Sequence, residues 1–219
     1  LEKVNTEDFG LPQSRPRIYI MGVKRLSPFH RGIIVPKFKH KDHLHDILDQ
    51  PGHGTRCRSF PSDLQWKNTI DYKWWHRSEM MNPERNGDTA CFAYDRTPSP
   101  RTTWGVVKKI NSSQCLTHKG LFGLLSLGEG FDLRNPTLSL TIDRPMTHTE
   151  HGRLQGFPEW YINHGRLRPK DAISGYGNSM SIPAVGAVLY GMLAVRYQLP
   201  QTSNALIELH MRTFGAMSR

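Results

Sequence analysis

Two arginines, Arg15 and Arg17, stand two positions apart at the start of a segment that we expect to be extended. Side chains two apart on an extended chain project to the same side. Pro16 between them has a fixed φ and no N–H, which stiffens the pair. Two adjacent guanidinium groups can hold a phosphate or absorb negative charge that develops on an oxygen atom. The alternative is that both bind surface carboxylates.

A third polar group of interest is the pair Asn178 and Ser179, which follows Gly177 and precedes an apolar segment. Side chains of Asn and Ser are favoured at the start of a helix, because they accept hydrogen bonds from its free N–H groups. The sequence therefore predicts a cap here. The same polar atoms could also bind a ligand, and the two roles are compatible.

Several segments must position these groups. The apolar run 18–23 is typical of a buried strand in a parallel sheet. Thr147 and Glu150 form the pattern of a capping box, which predicts a helix from there to Gly156. A second helix is predicted over residues 182–195, with Pro183 in its first turn.

The second helix is apolar on nearly every face, so we expect it to be buried, with its two glycines allowing close packing. A short helix over residues 204–213 would follow it. No apolar run approaches the roughly 20 residues that a membrane-spanning helix needs, so a membrane is not an expected partner.

The chain of 219 residues has a formal net charge of +10 and a pI near 9.7. Residues 24–118 contain 16 Lys and Arg against 9 Asp and Glu, so much of the excess lies in the middle. A basic excess of this kind favours a polyanionic partner, since neutralising phosphates releases counterions. The three cysteines are too few and too scattered for a disulfide framework, which indicates an intracellular, reducing environment.

A metal site is the main alternative from another class. Zinc-capable side chains cluster at His40, His43, His45, His53 and Cys57. Structural zinc sites usually pair their ligands at regular spacing, and the sequence has no Cys-x-x-Cys. We therefore favour a polar loop and predict no metal.

Four aromatic residues in the middle segment could stack on unpaired bases. They are Trp66, Tyr72, Trp74 and Trp75. Such residues more often form the small core of a domain with little regular structure, and we favour that interpretation.

Three segments, in order, resemble the late motifs of the C5-cytosine DNA methyltransferase family. Residues 8–17 resemble motif VIII, with its Gln-x-Arg-x-Arg pattern. Residues 144–158 resemble motif IX, and residues 175–183 resemble motif X. In this family the long stretch between motifs VIII and IX is a target recognition domain that reads DNA in the major groove.

The resemblance implies an α/β fold class: the C-terminal part of a Rossmann-like, S-adenosylmethionine-dependent methyltransferase fold, plus a small, mostly β or irregular target recognition domain. Three parts are expected. Residues 1–23 would end the catalytic-domain sheet, residues 24–143 would form the recognition domain, and residues 144–219 would return to the catalytic domain.

The resemblance also implies site residues. Arg17 would approach the flipped cytosine, Arg15 would brace the site or a phosphate, and Gln13 would complete the same active site. Gly177, Asn178 and Ser179 would line the S-adenosylmethionine pocket. Duplex DNA would be contacted by Cys115, Leu116 and Thr117. Arg153 would either contact DNA or form an internal ion pair in a scaffold role, and these are equal alternatives. Glu150 would have a similar scaffold role.

The family's earlier motifs, a Phe-x-Gly-x-Gly loop, a Pro-Cys nucleophile and Glu-Asn-Val, do not occur in this sequence. Cys57, Cys91 and Cys115 each lack the preceding proline, so none is expected to be the nucleophile. The first expectation is a split enzyme whose second polypeptide carries these motifs. The alternative is a fragment or a degenerate, catalytically inactive DNA-binding protein. In either case we expect the protein to be located with DNA, in the nucleus of a eukaryote or in the cytoplasm and nucleoid of a bacterium.

Overall fold

The computed structural model describes residues 1–22, 24, 32–37, 44–49, 91–95, 113, 115–117, 122–127 and 140–201. Within them, strands and helices are both present. The strands are β1 (Glu2–Asn5), β2 (Pro16–Tyr19), β3 (Cys91–Asp95), β4 (Phe122–Leu127) and β5 (Leu140–Pro145). The helices are α1 (His148–Leu154), α2 (Glu159–Ile162), α3 (Pro169–Asn178) and α4 (Ile182–Tyr197), with short 3-10 turns at Thr6–Phe9 and Leu44–Ile47.

Strands β1 and β2 form an antiparallel hairpin in which Val4 lies opposite Arg17. The prediction of a buried strand in a parallel sheet is wrong for this segment. Ile18 is 64% exposed and Ile20 is 86% exposed. Only β1 pairs with β2 among the described residues, so no layer of the described chain covers these side chains.

The second sheet is also antiparallel, in the order β3-β4-β5. Its core side chains include Leu124 and Phe122, which are essentially inaccessible to solvent. They pack with Leu44, Leu116 and Leu154 in one apolar cluster. This cluster therefore joins the sheet to the 44–47 turn and to helix α1.

The predicted capping box at α1 is confirmed. The Thr147 hydroxyl accepts a hydrogen bond from the Glu150 N–H, and the Glu150 carboxylate accepts one from the Thr147 N–H. The helix ends at Leu154, close to the predicted stop at Gly156, whose φ of +76° is left-handed. Glycine adopts this conformation without a steric penalty.

Helix α4 begins at Ile182 as predicted and continues to Tyr197. Its burial on every face was an incorrect expectation. Residues such as Ala187 and Ala194 are buried against β1 and the 3-10 turn at Thr6–Phe9, whereas Leu189 is 51% exposed and Leu193 is 47% exposed. The helix thus covers the core with one face and exposes an apolar face.

Helices α3 and α4 together, Pro169–Tyr197, are long and apolar enough by length and composition to pass for a membrane span. A bend at residues 179–181 divides the stretch into helices of 10 and 16 residues. Each is shorter than the roughly 20 residues needed to cross a bilayer. Half of the apolar window is also buried inside the protein.

Three expectations concern residues outside the described part of the chain. The helix predicted over residues 204–213 and the aromatic cluster of residues 66–75 lie entirely outside it. The histidine-rich stretch, residues 40–57, does so apart from residues 44–49.

The two glycines of α4 provide a matched test of its packing. A Cβ on Gly191 would lie 2.6 Å from the Ile34 carbonyl oxygen, whereas a Cβ on Gly186 would meet nothing within 4 Å. We expect Gly191→Ala to lower the free energy of unfolding by about 1–3 kcal/mol through overpacking. Gly186→Ala should instead raise it by about 0.5–1 kcal/mol, because alanine favours helix more than glycine does. Urea denaturation of both variants measures this, and equal effects would contradict the close approach.

Candidate functional site

The Arg15 guanidinium lies at the centre of the candidate site, and the residue is only 4% exposed. Its Nη1 donates to the Leu116 carbonyl at 2.6 Å. Its Nη2 donates to the carbonyls of Gly177 at 3.0 Å and Ser179 at 2.8 Å. One side chain therefore joins the start of β2, the 115–117 segment and the end of α3.

The charge of Arg15 sits in a desolvated place. Burial lowers the pKa of Arg15 from its ordinary value, and the neighbouring Arg17 lowers it further, while Cys115 acts in the opposite direction. An arginine stays protonated in proteins even so, because its ordinary pKa lies far above neutral pH. The three carbonyl dipoles compensate for the lost water, which makes Arg15 a brace rather than a mobile surface cation.

Arg17 differs from Arg15 in exposure. Arg17 is exposed, and its Nη2 donates to the Cys115 sulfur at 3.3 Å. Arg15 Nη1 also reaches that sulfur, at 3.4 Å. Both arginines therefore meet the same thiol, in agreement with the expectation that their side chains project to one side.

The 115–117 segment is anchored by its middle residue. Leu116 is 1% exposed and belongs to the apolar cluster of the second sheet. Cys115 is half-buried and Thr117 is exposed. The predicted DNA-contacting residues thus divide into one core anchor and two flanking groups that solvent can reach.

Gln13 is fully buried. The chain around it forms a parallel bridge to Ser113, in which the Ser14 N–H donates to the Ser113 carbonyl at 2.8 Å. Neither amide atom of the Gln13 side chain has a described hydrogen-bond partner. The structure places Gln13 beneath the site, whereas Arg17 lies on its outer side; the catalytic roles of both stay predictions.

Asn178 and Ser179 were predicted to cap the start of the apolar helix α4, and this prediction is wrong, because both residues lie at the end of the preceding helix. The residue that precedes α4 is Ser181, and its side chain makes no capping bond. Ser179 ends the preceding helix, α3, where its hydroxyl donates to the Tyr176 carbonyl at 2.8 Å. Asn178, the last residue of α3, is exposed. Helix α3 was missed, although Pro169 at its first turn is a usable start signal.

Gln155 is a further residue that sequence reasoning did not single out. It is fully buried, and its side-chain amide donates to the Tyr176 carbonyl at 2.9 Å. The backbone carbonyl of Gln155 accepts a hydrogen bond from the Ile182 N–H at 2.9 Å. Gln155 therefore fixes the end of α1 against the α3–α4 bend that presents Ser179 to Arg15.

Glu150 is fully buried and receives four hydrogen bonds. Arg144 provides two of them through both terminal nitrogens, and the backbone N–H groups of Thr147 and Asp49 provide the others. A buried carboxylate with this many donors is well compensated for its lost hydration. It ties β5 and the 44–49 segment to the start of α1.

Arg153 forms internal ion pairs, the alternative that the sequence left open. Its guanidinium contacts Asp49 at 2.7 Å and Glu159 at 2.5 Å, and it donates to the Ile47 carbonyl. Burial alone would raise the pKa of Asp49, but hydrogen bonds from Thr147 and Arg153 outweigh burial and hold it below its usual value. A role of Arg153 in DNA contact stays a prediction.

Comparison with known proteins gives a consistent result. A family described as C-5 cytosine-specific DNA methylase matches residues 2–193. The Type II methyltransferase M.HpaII of Haemophilus parainfluenzae is 25% identical over 201 residues, covering 84% of this chain and 47% of that protein. The Type II methyltransferase M1.ScrFI of Lactococcus lactis subsp. cremoris is 28% identical over 192 residues, covering 86% and 41% respectively.

Among solved structures, the Entamoeba histolytica methyltransferase EhMeth superposes with a TM-score of 0.49 at 20% identity, covering 90% of this chain and 53% of that one. The chain spans less than half the length of the two curated relatives, 47% and 41%.

The two arginines should differ sharply in their effect on stability. Arg15→Met leaves the carbonyls of Gly177 and Ser179 without a described donor, and the Leu116 carbonyl with only the Cys115 thiol at 3.4 Å. Each buried orphan costs about 1–3 kcal/mol, so we expect a total loss of roughly 2–6 kcal/mol. Arg17→Met removes an exposed side chain and should change the free energy of unfolding by less than about 0.5 kcal/mol. Urea denaturation of both variants checks this. A similar loss in both would mean that Arg15 is not the brace.

The carboxylate of Asp49 should stabilise the fold in a pH-dependent way. Its folded pKa lies below the unfolded value of about 3.9, so its contribution is present above that value and is lost as pH falls through the folded pKa. We expect Asp49→Asn to cost about 1–2 kcal/mol at pH 7, since hydrogen bonds to a charged group are worth about that much or more.

The control for this variant is Asp171→Asn, which removes an exposed partner of Arg168. Exposed pairs contribute about 0–1 kcal/mol. Denaturation midpoints at pH 7 and pH 3 should show the Asp49→Asn deficit shrinking at the lower pH. A deficit of equal size at both pH values would contradict the assignment.

Proposed function

Because the chain belongs to the C-5 cytosine-specific DNA methylase family, we propose that it supplies the DNA-recognition part of a DNA (cytosine-5-)-methyltransferase. This enzyme would transfer a methyl group from S-adenosylmethionine to C5 of cytosine in duplex DNA. The observation that carries the proposal is the buried Arg15, which holds together the three segments to which the site residues belong.

The contacts of Arg15 support the proposal that one chain contacts the target base, the DNA and the cofactor together. Leu116 belongs to the predicted recognition domain, and Gly177 and Ser179 belong to the predicted cofactor turn. Preorganised sites are effective because their groups need not reorganise during reaction. Arg15 would therefore be a positioning residue, and Arg17, exposed beside it, would be the group that meets the base.

The chemistry gives Arg17 a defined task. Cytosine C5 becomes nucleophilic only after a thiolate adds to C6, and negative charge then develops on the ring. A guanidinium near O2 would stabilise that charge. The base must first leave the duplex, at an unstacking cost of about a few kcal/mol. The exposed position of Arg17 is accessible to a flipped base, whereas the buried position of Arg15 is not.

DNA contact would come from the basic part of the chain between β2 and α1. Residues 24–118 of this part contain 16 Lys and Arg against 9 Asp and Glu, a surplus of +7 out of the chain's +10, which favours the phosphate backbone. Cys115 and Thr117 flank the buried Leu116. Their proximity to Arg17 supports a role for this segment beside the target base pair.

The end of α3 is chemically suited to one wall of a cofactor pocket. Asn178 is exposed, and a Cβ on Gly175 would meet nothing within 4 Å, so a ligand has space there. Ser181 adds a buried hydroxyl without a described partner. Gly177, Asn178 and Ser179 would hold S-adenosylmethionine, which supplies the methyl group when bound.

The nucleophile would come from another segment or chain. No cysteine of this sequence follows a proline, and the thiol of Cys115 is engaged by two guanidinium groups. The exposed Ile18 and Ile20 and the free edge of β2 within the described chain are suitable for attachment of further strands.

The test is a tritiated methyl-transfer assay on duplex DNA. The assay is run on three samples: this chain alone, a second polypeptide that carries the Gly-rich and Pro-Cys motifs alone, and a mixture of the two. We expect transfer only from the mixture. Methyl transfer by this chain alone would overturn the proposal that the nucleophile comes from another segment or chain. DNA binding by the mixture without methyl transfer would favour a degenerate, inactive protein.

In the reconstituted enzyme, Arg17→Ala should reduce kcat by about 100-fold or more, the scale of losing one oxyanion-stabilising donor. Arg17→Lys should restore part of the rate. Lys3→Ala is the matched control, because Lys3 is an exposed cation on the adjacent strand β1, opposite Ile18. Unchanged turnover in Arg17→Ala, or an equal loss in Lys3→Ala, would disprove the role assigned to Arg17.

A further inference from the structure

A cavity of about 290 Å³ lies between α1, α2, the 163–168 loop and α3. Ile162, Leu167 and Ala172 form its apolar wall, and Tyr161 and Tyr176 also line it. None of the residues proposed above for cytosine, DNA or S-adenosylmethionine lines this cavity. It therefore needs an explanation of its own.

The aromatic wall is held in place by close packing. A Cβ on Gly152 would lie 2.8 Å from Ile162 Cγ1 and 3.1 Å from Tyr176 Cζ, so glycine is what lets α1 approach these side chains. Phe157 stacks on Tyr161 and tilts against Tyr176, with ring centroids 5.1 Å apart in each pair. The Tyr176 ring is therefore closely packed, and the Tyr161 ring, stacked on Phe157, is 45% exposed.

The polar lining consists of one arginine and two histidines. Arg166, His148 and His164 line the cavity, and none of its described lining residues is Asp or Glu. Arg168, two residues on, is paired with Asp171 at 2.7 Å. Arg166 is exposed and has no such carboxylate partner in the described part of the chain. It is therefore available to an anion.

Tyr176 is a buried residue of the cavity wall, and its phenol is a suitable hydrogen-bond donor. Burial raises the pKa of Tyr176 above its ordinary value, and Tyr161 and Glu159 raise it further. The phenol therefore keeps its proton well above neutral pH, and it can donate a hydrogen bond while its ring covers an apolar surface.

We propose that this cavity binds a nucleoside monophosphate, with the base against Tyr161 and Tyr176 and the phosphate on Arg166 and His164. Each part of that ligand matches one part of the lining. A bare phosphate would leave the aromatic wall uncovered, and an uncharged ring would leave Arg166 without an anion. The volume is at the lower limit of small-molecule sites, about 300 Å³, which suits one nucleotide.

Isothermal titration calorimetry of the full chain with AMP, adenosine and inorganic phosphate tests the proposal. We expect AMP to bind at least about tenfold more tightly than either part alone, since both halves of the lining contribute. Arg166→Ala should weaken AMP binding by about tenfold or more, and His164→Gln should weaken it by a smaller factor. Both residues are exposed, so circular dichroism should show an unchanged fold.

Two control variants locate the ligand. Arg168→Ala removes a nearby exposed cation that does not line the cavity, and it should leave AMP affinity within about twofold. Asn178→Ala alters the proposed cofactor turn and should also leave it unchanged. Absence of AMP binding, phosphate binding as tight as AMP binding, or a loss in Asn178→Ala without one in Arg166→Ala would each overturn the inference. None of these results depends on methyl transfer.

Discussion

The arrangement of the candidate site depends on one buried cation. Arg15 cannot return to water without leaving the carbonyls of Gly177 and Ser179 without a described donor, and the Leu116 carbonyl with only the Cys115 thiol at 3.4 Å. Three segments separated by about 100 and 160 residues in sequence therefore share one geometric constraint. Arginine suits this position because its planar fork directs several donors at fixed angles, which a lysine cannot do.

A second polar centre fixes the 44–49 segment, as Arg15 fixes the 115–117 segment and the end of α3. Asp49 and Glu150 receive donors from Thr147, Arg144 and Arg153, and these contacts fix the 44–49 segment on α1. Since the apolar cluster of the second sheet also contains Leu154 of α1, the helix is held through both polar and apolar contacts. Helix α1 is thus the common support on which the sheet and the α3–α4 bend are placed.

Local signals were readable from the sequence, whereas long-range ones were not. The capping box at Thr147 and Glu150 and the proline near the start of α4 depend on neighbours within one helical turn, and both predicted their helices correctly. Burial of the 18–23 run depended on elements remote in the chain, and the composition of a strand does not reveal which layers cover it. The two arginines were recognised as a pair, but their division into a buried brace and an exposed group follows from the acceptors that the 115–117 segment and α3 bring to Arg15. Gln155 lies in the segment that resembles motif IX, but its contacts with Tyr176 and Ile182 depend on the α3–α4 bend and could not be predicted from its neighbours in sequence.

The open edge of β2 affects how the chain behaves in solution. Among the described residues only β1 pairs with β2, and a strand edge that lacks a partner and lies beside exposed isoleucines is a template for pairing with another extended chain. The flanking Pro16 and Arg17 limit this tendency only at the start of the strand, because a proline and a charge are typical features of protected edges. Covering Ile18 and Ile20 would therefore protect this edge from non-specific pairing as well as allow specific assembly.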